Sequence, residues 1–290
     1  MDAVTLDFAA WPAPAKLNRM LRIVGRRADG YHLLQTVFQF LECCDWLWFE
    51  TRDDGAIARH GEVVGVPPEA DLTVRAARLL QQATGTGRGA LIRIDKHLPM
   101  GGGLGGGSSD AATTLVALNH YWQTGLTLTE LAELGLRLGA DVPVFVHGRA
   151  AWAEGVGERL TPLDLDEPWF VVLAPACHVA TGAVFNDSEL TRNSSLITIT
   201  DFMMGAGGND CEAVVYRRYP EVAAAASWLA RYGLARLTGT GACVFASFPS
   251  ADRARRVLDR LPPGWKGFVA RGRNRSPLHE RLTRAHAAFA

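Results

Sequence analysis

The sequence predicts an α+β protein in two parts, and three observations predict it. In the first half, strand-like and helix-like runs alternate around a loop with six glycines in the seven positions 101–107. In the second half the order reads βααβαβ, which suggests an antiparallel sheet with helices on one face. Between the halves, residues 161–168 turn rich in proline and acid, a composition shift that marks a domain boundary. The parts are accordingly residues 1–163 and 164–290. A chain of 290 residues is long enough for two medium domains with real cores.

The elements follow in order. A strand covers residues 11–24, a tight turn falls at Asp29-Gly30, and further strands cover residues 34–41 and 45–51. Residues 71–83 place Leu72, Ala76, Leu79 and Leu80 on one helical face. A strand over residues 90–94 leads through the glycine loop to a helix over residues 109–122. That helix has Leu115, Leu118 and Trp122 at core spacing, with Ser108, Ser109 and Asp110 as candidate N-caps. The next helix starts at Thr127, which forms a capping box with Glu130. Leu128, Leu131, Leu134 and Leu138 make its buried stripe, and Gly139 is its expected C-terminal cap. Asp141 then falls at an element boundary, ahead of Pro143 and the apolar run 144–146, from where a carboxylate can reach a cleft. Beyond the boundary come a strand (169–173), helices near 210–217 and 221–232, a strand (242–248), a helix (251–261) and a strand (267–271). Residues 186–208 read as an irregular, mobile surface connection.

Thirty basic residues balance thirty acidic ones, so no global field recruits nucleic acid or a membrane surface. Five cysteines without a C-x-x-C pair read as small buried hydrophobes in a reducing cytoplasm. No apolar run approaches membrane-spanning length, and the first basic residue is Lys16, so no signal or transit peptide is expected. No Cys/His cluster has metal-ligand spacing, and no His-Glu-x-x-His or Gly-x-Ser-x-Gly string exists.

The loop itself points to phosphate. So few side chains expose successive backbone N–H groups, and a helix opening beneath them adds its free N–H groups and positive dipole end. A Gly/Ser linker would not interleave Met100 and Leu104. Gly101-x-Gly103-x-x-Gly106 matches the dinucleotide fingerprint, but residues 95–100 separate it from its strand. A P-loop would need a lysine before Ser108. Any phosphate site is therefore local, built from backbone amides and a few cations.

Three motifs occur in order: Pro14-Ala15-Lys16-Leu17-Asn18, the loop 99–109, and Leu237-Thr238-Gly239-Thr240-Gly241-Ala242-Cys243. Together they resemble the galactokinase, homoserine kinase, mevalonate kinase and phosphomevalonate kinase superfamily, the GHMP kinases. Ala28-Asp29-Gly30-Tyr31-His32, Gly139-Ala140-Asp141-Val142-Pro143, Gly155-Val156-Gly157-Glu158 and Ser276-Pro277-Leu278-His279 resemble the branch that acts on a cytidine-diphosphate-linked polyol. The resemblance implies a ribosomal-protein-S5-domain-2-like N-terminal domain, a ferredoxin-like C-terminal domain and an active site between them. It also implies transfer of phosphate from ATP, with Mg²⁺, to the 2-hydroxyl of a methylerythritol in the non-mevalonate isoprenoid pathway. A mevalonate- or homoserine-type kinase and a non-catalytic nucleotide-binding protein are the alternatives.

Site residues follow from the same resemblance. Asp141 matches the general base and Lys16 the lysine beside it, the pair that phosphoryl transfer needs around one hydroxyl. Lys96, Pro99, Met100, Gly101, Gly102, Gly103, Leu104, Gly105, Gly106, Gly107, Ser108 and Ser109 are expected to bind ATP. Tyr31, His32 and Phe185 match positions that hold cytosine, with Asn18 and Thr181 near the substrate's hydroxyls and phosphates. The branch commonly has asparagine at the position of Asp71, which bears on nucleotide affinity.

Overall fold

The computed structural model describes residues 10–61 and 65–289. The first half runs β1 (Trp11–Arg26), β2 (His32–Arg52), β3 (Ile57–His60), α1 (Leu72–Thr84), β4 (Gly89–Asp95), α2 (Gly106–Trp122), α3 (Leu128–Leu136), α4 (Val142–His147), β5 (Ala151–Gly155) and β6 (Arg159–Pro162). The second half continues with β7 (Trp169–Leu173), α5 (Thr181–Phe185), α6 (Ile199–Met203), α7 (Glu212–Arg218), α8 (Pro220–Leu229), β8 (Arg236–Leu237), β9 (Val244–Phe248), α9 (Ala251–Leu258), β10 (Gly267–Arg273) and α10 (Pro277–Phe289).

β2 is the spine of the first half. One edge pairs antiparallel with β1, and the other is shared in turn by β5, β10 and β4. The two strands expected at residues 34–41 and 45–51 are thus one. Nothing in Glu42-Cys43-Cys44 breaks a strand, and pairing continues through Cys44 opposite Pro14. Bulges in β1 fall between Pro14 and Lys16 and between Asn18 and Met20. A bulge re-aims the side chains around it, here Lys16 and Asn18.

In the second half, β10, β7, β9 and β8 form the expected antiparallel sheet. Val171, Leu173, Val244 and Ala246 on one face pack under Val214 of α7, Val222 and Leu229 of α8 and Val257 of α9. On the opposite face Phe170, Val172 and Phe245 pack against Leu17, Leu41, Leu98 and Leu104 of the first half. Alternate residues of β7 therefore fill two different cores, as the pleat requires. Finally α10 returns to the first half, where Leu278 and Ala285 join Phe38, Phe40, Leu47, Ala111, Leu115 and Leu118.

Two helix ends differ from expectation. α2 begins at Gly106, capped by Gly105 in the left-handed region (φ +74°), so Ser108, Ser109 and Asp110 lie inside it, not at its N-cap. α3 keeps its Thr127–Glu130 capping box but is capped by Arg137; the Gly139 N–H instead reaches Gly135 O at 3.2 Å in a further turn. Residues 186–208 also contain α6, started by a capping box between Thr198 and Asp201.

All five cysteines are free; Cys44, Cys211 and Cys243 are buried, but Cys43 and Cys177 are only half-buried. Burial pushes the Cys211 and Cys243 thiols up to about 12, so they stay protonated at neutral pH. Among the described residues no helix is long and apolar enough to cross a membrane.

Candidate active site

Backbone pairing brings the three motifs together. The Lys16 N–H donates to Leu104 O at 2.9 Å, and the Ala242 and Cys243 N–H groups donate to Gly101 O and Gly102 O at 3.3 and 3.1 Å. Thr238 is the hub, fully buried. Its Oγ1 accepts from the Asn18 N–H at 3.1 Å and donates toward Gly103 O at 3.2 Å. From the sequence this third motif is a string with no role given to its threonine. Thr238 stands in the same string, and its threonine hydroxyl was the available signal.

Lys16 sits at the centre. Its Nζ lies 2.5 Å from Asn18 Oδ1, 3.0 Å from Gly103 O and 3.2 Å from Asp141 Oδ2, which uses all three ammonium donors. Below it, the ring of Phe38 has its centroid 5.3 Å from Nζ. Lys16 is 3% exposed, whereas the Asp141 side chain is 32% exposed. Asp141 stands at the N-cap position of α4 yet makes no capping hydrogen bond. Its carboxylate is thus turned toward Lys16 and the cleft. Asn18 is buried, its Nδ2 donating to Thr36 Oγ1 at 2.8 Å while its Oδ1 holds Lys16.

Two clefts meet here. The larger, about 680 Å³, is lined by Lys16, Asn18, Tyr31, His32, Asp141, Thr181 and Phe185 among others. The smaller, about 430 Å³, is lined by Lys96, Pro99, Met100, Gly101, Gly102, Gly103, Leu104, Gly105, Gly106, Gly107 and Ser108. Gly103, Gly105 and Ser108 line both, so the glycine loop is the wall between them. Ser109, expected with these, lines neither and is fully buried, because α2 starts three residues before it and turns it inward.

On the smaller cleft, Lys96 is not a free cation. Its Nζ bridges Asp45 Oδ2 at 2.5 Å and Asp110 Oδ2 at 2.7 Å. Burial alone would lower its pKa, but Asp110 and Asp45 carry it above the ordinary value. Burial in turn pushes the Asp110 carboxyl up against the pull of Lys96, with Asp45 adding to the rise. Asp45 also accepts from the His97 and Leu98 N–H groups at 2.6 and 2.8 Å, which fixes the approach to the loop. Asp71, also on this cleft, caps α1 through the Thr73 N–H at 2.8 Å and pairs with the buried Arg59 at 2.5 Å. Its extra charge, relative to asparagine, is answered by that arginine.

On the larger cleft, the turn before β2 presents Tyr31, 64% exposed at the rim, and His32 inside it. Gly30 makes that turn at φ +91°. The His32 and Phe185 rings stack with centroids 4.9 Å apart and planes 25° apart. Thr181 Oγ1 lies 2.9 Å from Thr240 Oγ1, which ties α5 to the third motif. Arg192 holds the His32–Phe185 pair from behind (Nε to His32 Nε2, 3.2 Å). Sequence reasoning missed Arg192, since it lies in a stretch without periodicity.

A glycine loop over a helix start, a lysine–carboxylate pair and two joined clefts can seat a polyphosphate beside a second small molecule. Residues 71–149 match the family described as GHMP kinases N terminal domain, and residues 189–266 match GHMP kinases C terminal. The chain is 58% identical over 268 residues to the 4-diphosphocytidyl-2-C-methyl-D-erythritol kinase of Nitrosococcus oceani, spanning 92% of this chain and 96% of that one. It is 56% identical to the enzyme of the same name from Halorhodospira halophila, over 97% and 98% of the two chains. The chain belongs to the 4-diphosphocytidyl-2-C-methyl-D-erythritol kinase family. A crystal structure of 4-(cytidine 5'-diphospho)-2C-methyl-D-erythritol kinase superposes with a TM-score of 0.79 at 32% identity, over 91% of this chain and 99% of that one. The mevalonate kinase of Methanococcus jannaschii shares the fold, with a TM-score of 0.70 at 14% identity.

Proposed function

We propose that this chain transfers the γ-phosphoryl group of ATP to the 2-hydroxyl of 4-diphosphocytidyl-2-C-methyl-D-erythritol, a step of the non-mevalonate isoprenoid pathway. The observation that carries this reading is the Lys16–Asp141 pair on the larger cleft, with Lys16 Nζ 3.0 Å from the carbonyl of Gly103, a residue that lines both clefts. ATP occupies the smaller cleft, its phosphates lying along the backbone N–H groups of the glycine loop and the start of α2. The cytidyl substrate occupies the larger cleft, its base at Tyr31, His32 and Phe185. Asp141 accepts the proton of the 2-hydroxyl as that oxygen bonds to the γ-phosphorus and the β–γ bridging bond breaks, releasing ADP. Lys16 offsets the charge that builds on the transferring group and holds Asp141 in place. Mg²⁺, entering with ATP, would offset the negative charge that develops on its phosphates.

We take residues 1–163 and 164–290 as the two domains, with α10 crossing back to the first core. The reaction is assigned to the cytoplasm, with small molecules and no nucleic acid as partners. The test is an ADP-release assay with ATP and Mg²⁺, offering the cytidyl substrate beside mevalonate, homoserine and galactose. Turnover with the cytidyl compound alone is expected. Preference for any of the other three would reject the assignment.

A further inference from the structure

The His32 ring is gripped by a group that can only donate. Arg192 Nε lies 3.2 Å from His32 Nε2. A guanidinium has no acceptor and stays charged, so Nε2 must offer its lone pair. The other Arg192 N–H groups donate to Leu190 O at 3.1 Å, Phe185 O at 2.9 Å and Asp187 O at 2.6 Å. The fork is therefore fixed to the chain leaving α5, the same helix that supplies the Phe185 ring stacked on His32. Burial first, and then the charges of Arg192 and Arg26, lower the His32 pKa and keep the imidazole neutral. A neutral imidazole has one N–H, and here it is at Nδ1. Among the described residues no protein group accepts from it, and His32 lines the larger cleft.

We propose that Arg192 is a positioning residue for substrate choice: it fixes His32 as the Nδ1–H form, making this edge of the base pocket a donor that accepts cytosine and rejects uracil. The inference rests on the cytidyl reading of the larger cleft. Both bases offer O2 as an acceptor, so the donor discriminates at N3, which accepts a hydrogen bond in cytosine and carries a hydrogen in uracil. Nδ1–H facing N3–H leaves two donors unpaired, and a buried unmade hydrogen bond is expensive. Without Arg192 the ring proton can move to Nε2, and the bare Nδ1 then accepts from uracil.

Two measurements test this. In ¹⁵N-histidine-labelled wild-type protein, with His32 assigned by loss of its signals in His32→Gln, Nδ1 should be protonated and Nε2 bare. The Nε2–H form would overturn the proposal. Second, kcat/KM is measured for the cytidyl substrate and its uridyl counterpart in wild type, Arg192→Met and Arg192→Lys. The cytidyl-over-uridyl ratio should fall about 10- to 100-fold in Arg192→Met, chiefly through KM. Arg192→Lys, which keeps a charge and a donor, should restore part of it. An unchanged ratio in Arg192→Met would refute the role of Arg192. Wild-type protein that turns over neither compound rejects the cytidyl reading itself, and this inference with it.

Discussion

In the proposed reaction Asp141 and Lys16 act on one proton and one phosphoryl group, and their 3.2 Å contact makes them a unit. Asp141→Asn keeps the shape and removes the proton acceptor, so kcat should fall about 10²–10⁴-fold with both KM values nearly unchanged. Lys16→Met should cost a comparable factor, and the double variant far less than the product of the two. Steady-state kinetics on the three variants decide this; kcat within a few-fold of wild type for Asp141→Asn would leave it a helix-end residue. Phe185→Ala should raise KM for the cytidyl substrate by about 10- to 100-fold, the worth of one base stacked on an aromatic ring, and leave KM for ATP alone. An unmoved cytidyl KM removes Phe185 from the base site. At this scale the sequence is legible where residues expected to meet are carried in short strings, and Lys16 and Asp141 do lie side by side. Arg192 is legible only in space, and Thr238, though inside the third motif, shows its part only by touching Asn18, which is distant along the chain.

The glycine loop shows why six glycines are not six equal requirements. Gly103 has φ +75°, and a Cβ there would meet Thr238 O at 2.2 Å and Gly241 O at 3.1 Å, both backbone. At Gly106 the backbone is ordinary helix, and a Cβ would face Asp45, Lys96 and Leu98 at 3.5 Å or more. Gly103→Ala should therefore weaken binding of a non-hydrolysable ATP analogue by at least about tenfold and lower Tm, because left-handed strain alone costs about 1–3 kcal/mol. Gly106→Ala should bind within a few-fold of wild type. Calorimetric titration of both variants is the measurement, and equal losses would show that the loop's backbone form is not what matters. Elements with strong local signals are readable in advance: the capping box at Thr127, the leucine stripe behind it, the alternating strands of the second half. β3, β5, β6 and β8 are only two to five residues long and owe their existence to a neighbouring strand. No local pattern announces them. The join of two expected strands into β2 has the same cause, since pairing to β1 and β4 overrides composition.

For the molecule as a whole, the decisive packing is the return of α10. Leu278 is fully buried in the first core, and the Arg281 guanidinium lies 4.8 Å from the ring centroid of Trp11. Leu278→Ala should destabilise the protein by about 2–5 kcal/mol in urea unfolding, the usual cost of a buried leucine truncation. A loss under about 1 kcal/mol would mean that α10 only rests on that core. The second half is bound in as well, since Phe170 and Phe245 share a core with Leu17 and Leu104, next to Lys16 and the glycine loop. This arrangement also separates the order of synthesis from the order of folding. A growing chain makes Trp11 first and Leu278 more than 260 residues later, yet the two close the same core. A partly made chain, with α2 and β1 already out of the ribosome, still carries an open apolar groove where α10 will lie. That groove is a binding surface for chaperones and a route to aggregation until α10 itself has been made.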